Sequence, residues 1–399
     1  MKAFLYKMKG AVALTLAMAV CCPQVYAATM TAEEQGLTPA ETVVVEEEPL
    51  PQLTYEKALE MAKKNSLTLH GLYDQADMYH ESRKDLQDMG VSTISPTYDY
   101  KKWVDDMWYA MDTAMFQLNL GLESNEINKQ LENLKLELSV KTYFTTLASD
   151  QKNLEMMQKN AEIQQKLYVQ GQTKRRLGMI SGYALDELRI AAQQARATAA
   201  NLEAVYEQNY TKFNQLLGGK STDRYELVYD LTFEPYVMHQ TMEQAINDKI
   251  NNKDLSIKGL QLAVESAKFN MNYLAASSWD ENKDQNEYNY DTAKRNLKSA
   301  KQNKETLIRN TYLQIQQMER QYESAQADVA KSAANYRIAQ VNHQIGNVTT
   351  TTVELAELGL LQAENALEQV LATYDMLIFT FENPTLLADS SASAASGSY

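Results

Sequence analysis

Leu177-Gly178-Met179-Ile180-Ser181 opens the stretch whose pattern decides the fold. After it, residues fall at alternating steps of three and four: Leu185, Leu188, Ala192, Ala195, Ala199, Leu202, Tyr206, Asn209, Phe213 and Leu216. This is an a/d heptad seam with one polar Asn, the pattern of a helix packed in coiled-coil fashion along its whole length. The stretch then occurs a second time. Ile345-Gly346-Asn347-Val348-Thr349 precedes Val353, Ala356, Leu360, Ala363, Leu367, Val370, Tyr374, Leu377 and Phe381, each 168 positions beyond its counterpart.

The correspondence extends upstream. Thr54-x-Glu56-x-Ala58-Leu59 matches Thr241-x-Glu243-x-Ala245-Ile246 at an offset of 187, and Leu67-x-Leu69-x-Gly71-Leu72 matches Leu255-x-Ile257-x-Gly259-Leu260 at 188. The chain therefore reads as two tandem repeats, the first holding 19–20 extra residues between Leu72 and Gly178. The aromatic stretch from Tyr98 to Leu118 is the candidate for that surplus.

Prolines set the scale of the elements. None lies between Pro96 and Pro235, or between Pro235 and Pro384. Because proline costs about 3 kcal/mol inside a helix, windows this long leave room for very long helices. The expected elements are a helix from Thr54 to Asp88 ended by Met89-Gly90, and one from Thr97 to Arg176 broken near Gly121. A helix from Tyr183 to Leu217, stopped by Gly218-Gly219, completes the first repeat. The second repeat has a helix starting near Thr241, a polar loop from Ser277 to Asn286, and helices over Glu287–Gln344 and Thr351–Glu382. The fold class is all-α: two tandem repeats of long antiparallel coiled-coil helices with little or no β structure.

The expected organisation is a signal peptide over 1–27, a disordered acidic lead-in over 28–52, repeats over 53–219 and 241–383 joined by a linker over 220–240, and a disordered tail over 384–399. Lys2, Lys7 and Lys9, the apolar run from Ala11 to Cys21, and Val25-Tyr26-Ala27 make the secretory signal. Cys21 or Cys22 offers a lipoprotein reading, which bulky Val20 disfavours. Both cysteines lie in this segment, so the exported part has no disulfide and no thiol chemistry. Without the three signal lysines, 35 basic residues face 52 acidic ones, a net of −17 that argues against nucleic acid as a partner.

The doubled Leu/Ile-Gly-x-Ile/Val-Ser/Thr pattern before an Ala-rich seam resembles TolC-type efflux proteins. Leu53-Thr54-x-Glu56-x-Ala58-Leu59 with its Leu67-x-Leu69 pair, and Leu216-Leu217-Gly218 before the linker, carry the same resemblance. It covers nearly the whole exported chain, from Leu53 to Phe381. It implies a homotrimer whose helices form a hollow α-barrel, working with a periplasmic membrane-fusion adaptor and an inner-membrane transporter in the cell envelope. Leu177, Gly178, Ser181, Ile345, Gly346 and Thr349 would then be docking-tip residues. One departure stands out. The family's membrane barrel needs two strands of about 9–11 residues at each of two places. Here Val91–Pro96 is too short, and Asp280–Glu287 is uniformly polar.

Three further features have competing readings. Asp186 and Glu354, one turn past the two tips, would in a trimer form a ring of six carboxylates at a pore; alternatively they are acids favoured at helix N-termini. Lys174, Arg175 and Arg176 either receive an acidic partner or serve the helix C-terminus. The aromatic cluster is either an interfacial belt or packing that closes the bundle. His70, His80, His239 and His343 are scattered and form no catalytic or metal-binding pattern, so an enzyme, a cofactor and a metal are not expected. The sequence thus reads as a helical conduit of an export system, or as a non-conducting helical scaffold of the envelope.

Overall fold

The protein's computed structural model describes residues 50–92, 100–229, 231–273 and 283–387. The proposed signal, the lead-in up to Pro49, the tail after Leu387, and most of the polar loop lie outside them; the ends of the expected disordered segments are ordered instead, Gln52 in a strand and Pro384–Leu386 in a 3₁₀ turn. So do the side chains of the aromatic stretch from Tyr98 to Tyr109.

The first half comprises α1 (Tyr55–Asn65), α2 (Leu67–Ser92), α3 (Tyr100–Arg176) and α4 (Gly182–Leu217). The second comprises α5 (Met242–Asp248), a π-helical segment (Lys249–Lys253), α6 (Leu255–Tyr273), α7 (Lys283–Gln344) and α8 (Thr350–Glu382). Two three-residue strands, β1 (Gln52–Thr54) and β2 (Glu226–Val228), pair in parallel and tie the start of the first half to the linker.

Helix α3 has 77 residues, about 115 Å at 1.5 Å per residue, and runs without interruption through Gly121. The expected break there is not found, because this glycine answers a packing need: a Cβ at 121 would stand 3.0 Å from the Tyr79 ring of α2. The helix expected over 54–88 is instead two helices and runs on past Met89-Gly90. Ser66 divides them, its Oγ accepting from the Leu69 amide at 3.2 Å and starting α2 afresh. In the second half Asp254 does the same, accepting from the amides of Ser256 at 2.9 Å and Ile257 at 3.3 Å.

These two breaks explain why the upstream offset changes from 187 to 188. Ala58 and Ala245, both buried, are 187 apart; Ser66 and Asp254 are 188 apart. The one extra residue falls within Lys249–Lys253, where the helix widens to π geometry and absorbs it.

Positions 168 apart occupy matching places in two cores. Val140, Leu147 and Phe213 are buried in one with Ala58 and Ala62. Ile308, Ile315 and Phe381 are buried in the other with Ile246 and Ile257. Each core layer gathers a long helix, its partner and the short helix above. Burying such aliphatic and aromatic side chains contributes about 1.5–3 kcal/mol each.

The four longest helices form a row in the order α4, α3, α8, α7. Helix α3 meets α8 antiparallel through a charge ladder. Lys141 pairs with Asp375 at 2.9 Å, Lys152 with Glu368, Lys159 with Glu357 and Lys166 with Glu354, every cation on α3 and every acid on α8. Asn153 with Asn365, and Gln170 with Thr351 at 2.8 Å, complete the seam. Among the described residues no helix is long and apolar enough to cross a membrane. The connections from α2 to α3 and from α6 to α7 occupy positions 93–99 and 274–282, neither long enough for two strands of about 9–11 residues.

Candidate functional site

The turns joining α3 to α4 and α7 to α8 share one construction. In the first, the Gly178 amide donates to the Arg175 carbonyl at 3.0 Å and the Met179 amide to the Lys174 carbonyl at 2.8 Å. In the second, Gly346 donates to His343 at 3.0 Å and Asn347 to Asn342 at 2.8 Å. Both are Schellman motifs, which satisfy the last carbonyls of a helix by passing one residue through the left-handed region. Gly178 and Gly346 occupy it with φ of 73° and 78°. No neighbour lies within 4 Å of where their Cβ atoms would stand, so backbone conformation alone calls for glycine.

The helices that follow start differently. Ser181 accepts from the Ala184 amide at 3.1 Å as a side-chain N-cap. Thr349 makes no such bond; its hydroxyl lies 3.1 Å from that of Thr352. The sequence presents Ser and Thr as equivalents, yet only the first caps with its side chain.

Both turns present apolar surface. Leu177 is 69% exposed, Met179 67% and Ile345 63%. Tyr183, in the first turn of α4, is also exposed. Arg175 lies across the first turn and donates to the Ile180 carbonyl at 3.2 Å, while Arg176 donates to the Thr173 hydroxyl at 3.4 Å. All three residues of Lys174-Arg175-Arg176 are exposed in the last turn of α3, where cations are favoured by the helix dipole.

The two candidate carboxylates occupy different surroundings. Asp186 is exposed and accepts from Arg189 at 3.3 Å on its own helix. Glu354 pairs across the seam with Lys166, and its second carboxylate oxygen is buried. The ion pair between them keeps the Lys166 ammonium protonated above its ordinary range.

Sequence reasoning missed Gly171. A Cβ there would meet Leu188 Cδ1 at 2.5 Å, so this glycine lets α4 close on α3 just before the tip. The available signal was a glycine inside a helical pattern, one heptad before Gly178.

No protein-family profile matches the sequence, and no curated protein matches it. Solved structures do. The Campylobacter jejuni CmeC outer membrane channel superposes with a TM-score of 0.64 at 13% identity, over 91% of this chain and 96% of that one. The outer membrane protein VceC from Vibrio cholerae gives 0.58 at 12%, over 83% and 96%. The outer-membrane channel OprN gives 0.62 at 11%, over 84% and 90%. The helical fold is that of outer-membrane channel proteins, the fold that the doubled glycine-turn motif also pointed to.

Proposed function

We propose that the chain is a TolC-like component of an export system in the cell envelope: three copies form a helical conduit, and the two tip turns dock a helical periplasmic adaptor. The observation that carries this reading is the pair of matching turns. Each places at least one large apolar residue in solvent directly beside a left-handed glycine, on a protomer with an outer-membrane channel fold. An exposed apolar residue on a rigid turn is the kind of feature a partner helix buries. An inner-membrane transporter would supply the energy, and the conduit would be passive. A carboxylate ring from Asp186 and Glu354 is not part of this reading, since Glu354 already neutralises Lys166 within the protomer.

The test is adaptor capture by the double variant Gly178→Asp, Gly346→Asp. Both substitutions force a charged side chain into a left-handed position at the tip, and capture should be lost. Undiminished capture by a folded double variant would remove the docking claim.

A second reading, a non-conducting envelope scaffold, is favoured by the short connections at 93–99 and 274–282, which leave no length for the strands of a membrane pore. Ion conductance across a planar bilayer separates the two: steps with the purified chain support a conduit, and a silent bilayer with adaptor binding intact supports the scaffold.

A further inference from the structure

Residues 294–304 of α7 hold five cations and no acid, in a chain whose net charge is −14. Four of them, Lys294, Arg295, Lys298 and Lys301, line a groove of about 850 Å³ between α7 and the wall made by α5 and the π-helical segment. We propose that this groove binds one anionic phospholipid: the cations hold its phosphate headgroup, and the apolar floor takes the start of its acyl chains. The site is separate from the tip turns and independent of the docking proposed for them.

Spacing puts the cations on one face. Positions 294, 298 and 301 fall within a sector of about 60° around the helix, and Arg295 stands beside them. Across the groove Ile246 and Ile250, both buried, join the half-buried Leu297 of α7 to make the floor apolar.

These charges are not neutralised within the fold. Lys294, Arg295 and Lys298 are exposed and Lys301 is half-buried. Among the described residues none of the four pairs with a carboxylate. Lys301 donates to Asn251 Oδ1 at 2.8 Å and Arg295 to the Thr292 hydroxyl at 2.9 Å, both uncharged acceptors. The fifth cation, Lys304, is by contrast fully engaged, with the Pro384 and Leu387 carbonyls at 2.7 and 2.8 Å and with Asp254 at 3.2 Å. Two acids also line the groove. Glu305 is taken by Arg309 at 2.8 Å, and Asp291, at the end nearer α6, leaves the groove with a net positive charge.

The first half shows that the shared fold does not call for these cations. A step of 168 back along α3 reaches Glu126, Ile127, Gln130 and Asn133, none of them basic. The packing next to them is kept, with Val140 and Ile308 buried alike. The basic face therefore belongs to the second half alone.

The combination of charge and floor selects the ligand. A free phosphate would meet the cations and leave the apolar floor uncovered, and a polyanion would need a line of charges along open surface. A phosphate headgroup with acyl chains satisfies both parts. The groove begins 11 residues into α7, roughly 17 Å from its start, at the pole opposite the tips. The connections at that pole are too short for membrane strands, so a lipid held there would keep the pole against a bilayer without spanning it.

The test is calorimetric titration of the full chain with dihexanoylphosphatidic acid, kept below its micellar concentration. Glycerol 3-phosphate, the same phosphomonoester without acyl chains, and dihexanoylphosphatidylcholine, whose headgroup has no net charge, probe the two parts separately. The phosphatidic acid is expected to bind at least about tenfold tighter than either. Lys294→Gln with Lys298→Gln, both at exposed helix positions and checked by helical circular dichroism, should weaken it at least about tenfold. Lys331→Gln with Arg337→Gln, an equal loss of charge nearer the tip of α7, should change it by less than about twofold. Glycerol 3-phosphate or phosphatidylcholine binding as tightly as phosphatidic acid, equal losses in the two double variants, or no binding at all would each overturn the proposal.

Discussion

The Tyr229 hydroxyl donates to a carboxylate oxygen of Asp375 at 2.7 Å, joining the linker that leaves the first half to the last long helix of the second. Lys141 of α3 approaches the same carboxylate at 2.9 Å, and the Tyr229 ring packs against Tyr55 and Phe144. Burial, then the bond to Asp375, push the Tyr229 phenol far above its ordinary range, so it stays a donor at any physiological pH. One carboxylate thus serves three elements.

Removing that carboxylate should be costly. Asp375→Ala leaves the mostly buried Lys141 ammonium uncompensated, and a loss of about 2–3 kcal/mol is expected. Tyr229→Phe, which only deletes a donor, should cost about 1 kcal/mol. Equilibrium urea unfolding measures both, and equal effects would contradict the assignment of Asp375 as the shared anchor.

Among the described residues three glycines are left-handed, Gly178, Gly346 and, with φ of 75°, Gly218, and they should rank by surroundings. Gly178→Ala and Gly346→Ala meet open space and should each cost about 1–2 kcal/mol for backbone conformation alone. Gly218→Ala adds a clash, its Cβ 2.6 Å from Asn65 Oδ1, whose amide nitrogen caps the Gln215 and Leu216 carbonyls. It should be the most damaging of the three in thermal unfolding.

The π segment predicts where a deletion is tolerated. Removing Asn251 shortens the connection to Asp254 to the length found before Ser66, so helical circular dichroism should persist with stability changed by no more than about 1 kcal/mol. Removing Gln261 from α6 rotates the rest of that helix out of register and should be far more damaging. Equal effects would show that the widened turn is not a one-residue insertion.

Acid should loosen the end of α8. Burial works to raise the Glu382 carboxyl, but hydrogen bonds from Tyr236 and Lys249 outweigh it and hold it below the ordinary 4.5. A depressed carboxyl contributes stability that is present above the ordinary value and lost as pH falls through the folded one. Glu382→Gln should therefore be less stable than wild type at pH 7, with the two curves converging below pH 4.5. Parallel curves would exclude this carboxylate as the source.

Much of this architecture is legible in the chain because long helices announce themselves through spacing and the absence of proline. The α4 seam is a clear case: Ala192, Ala195, Ala199 and Phe213 are buried as their spacing requires. What escaped notice depends on neighbours rather than on period. The second buried stripe of α8, Thr351, Leu358 and Asn365, carries two polar residues and registers only once α3 lies against it. Gly121 reads as a weak point in sequence and is a seat for the Tyr79 ring in the fold. Ser66 was passed over because a single serine interrupts no apolar pattern, yet its hydroxyl suffices to start a new helix. At the tips, the glycines fix the backbone from sequence alone, whereas the contrast between Ser181 and Thr349 depends on side-chain orientation.

Both glycine turns hang 38 residues below equivalent core positions, Val140 for Gly178 and Ile308 for Gly346. The Gln170–Thr351 bond holds the two hairpins side by side close to their ends. In the conduit proposed above, equal shafts would make a level rim that one repeated shape could grip. An insertion of even one turn into either shaft would leave one turn standing about 5 Å proud, and a partner would find every second foothold missing. On that reading, the length of the two shafts matters to docking more than any single side chain does.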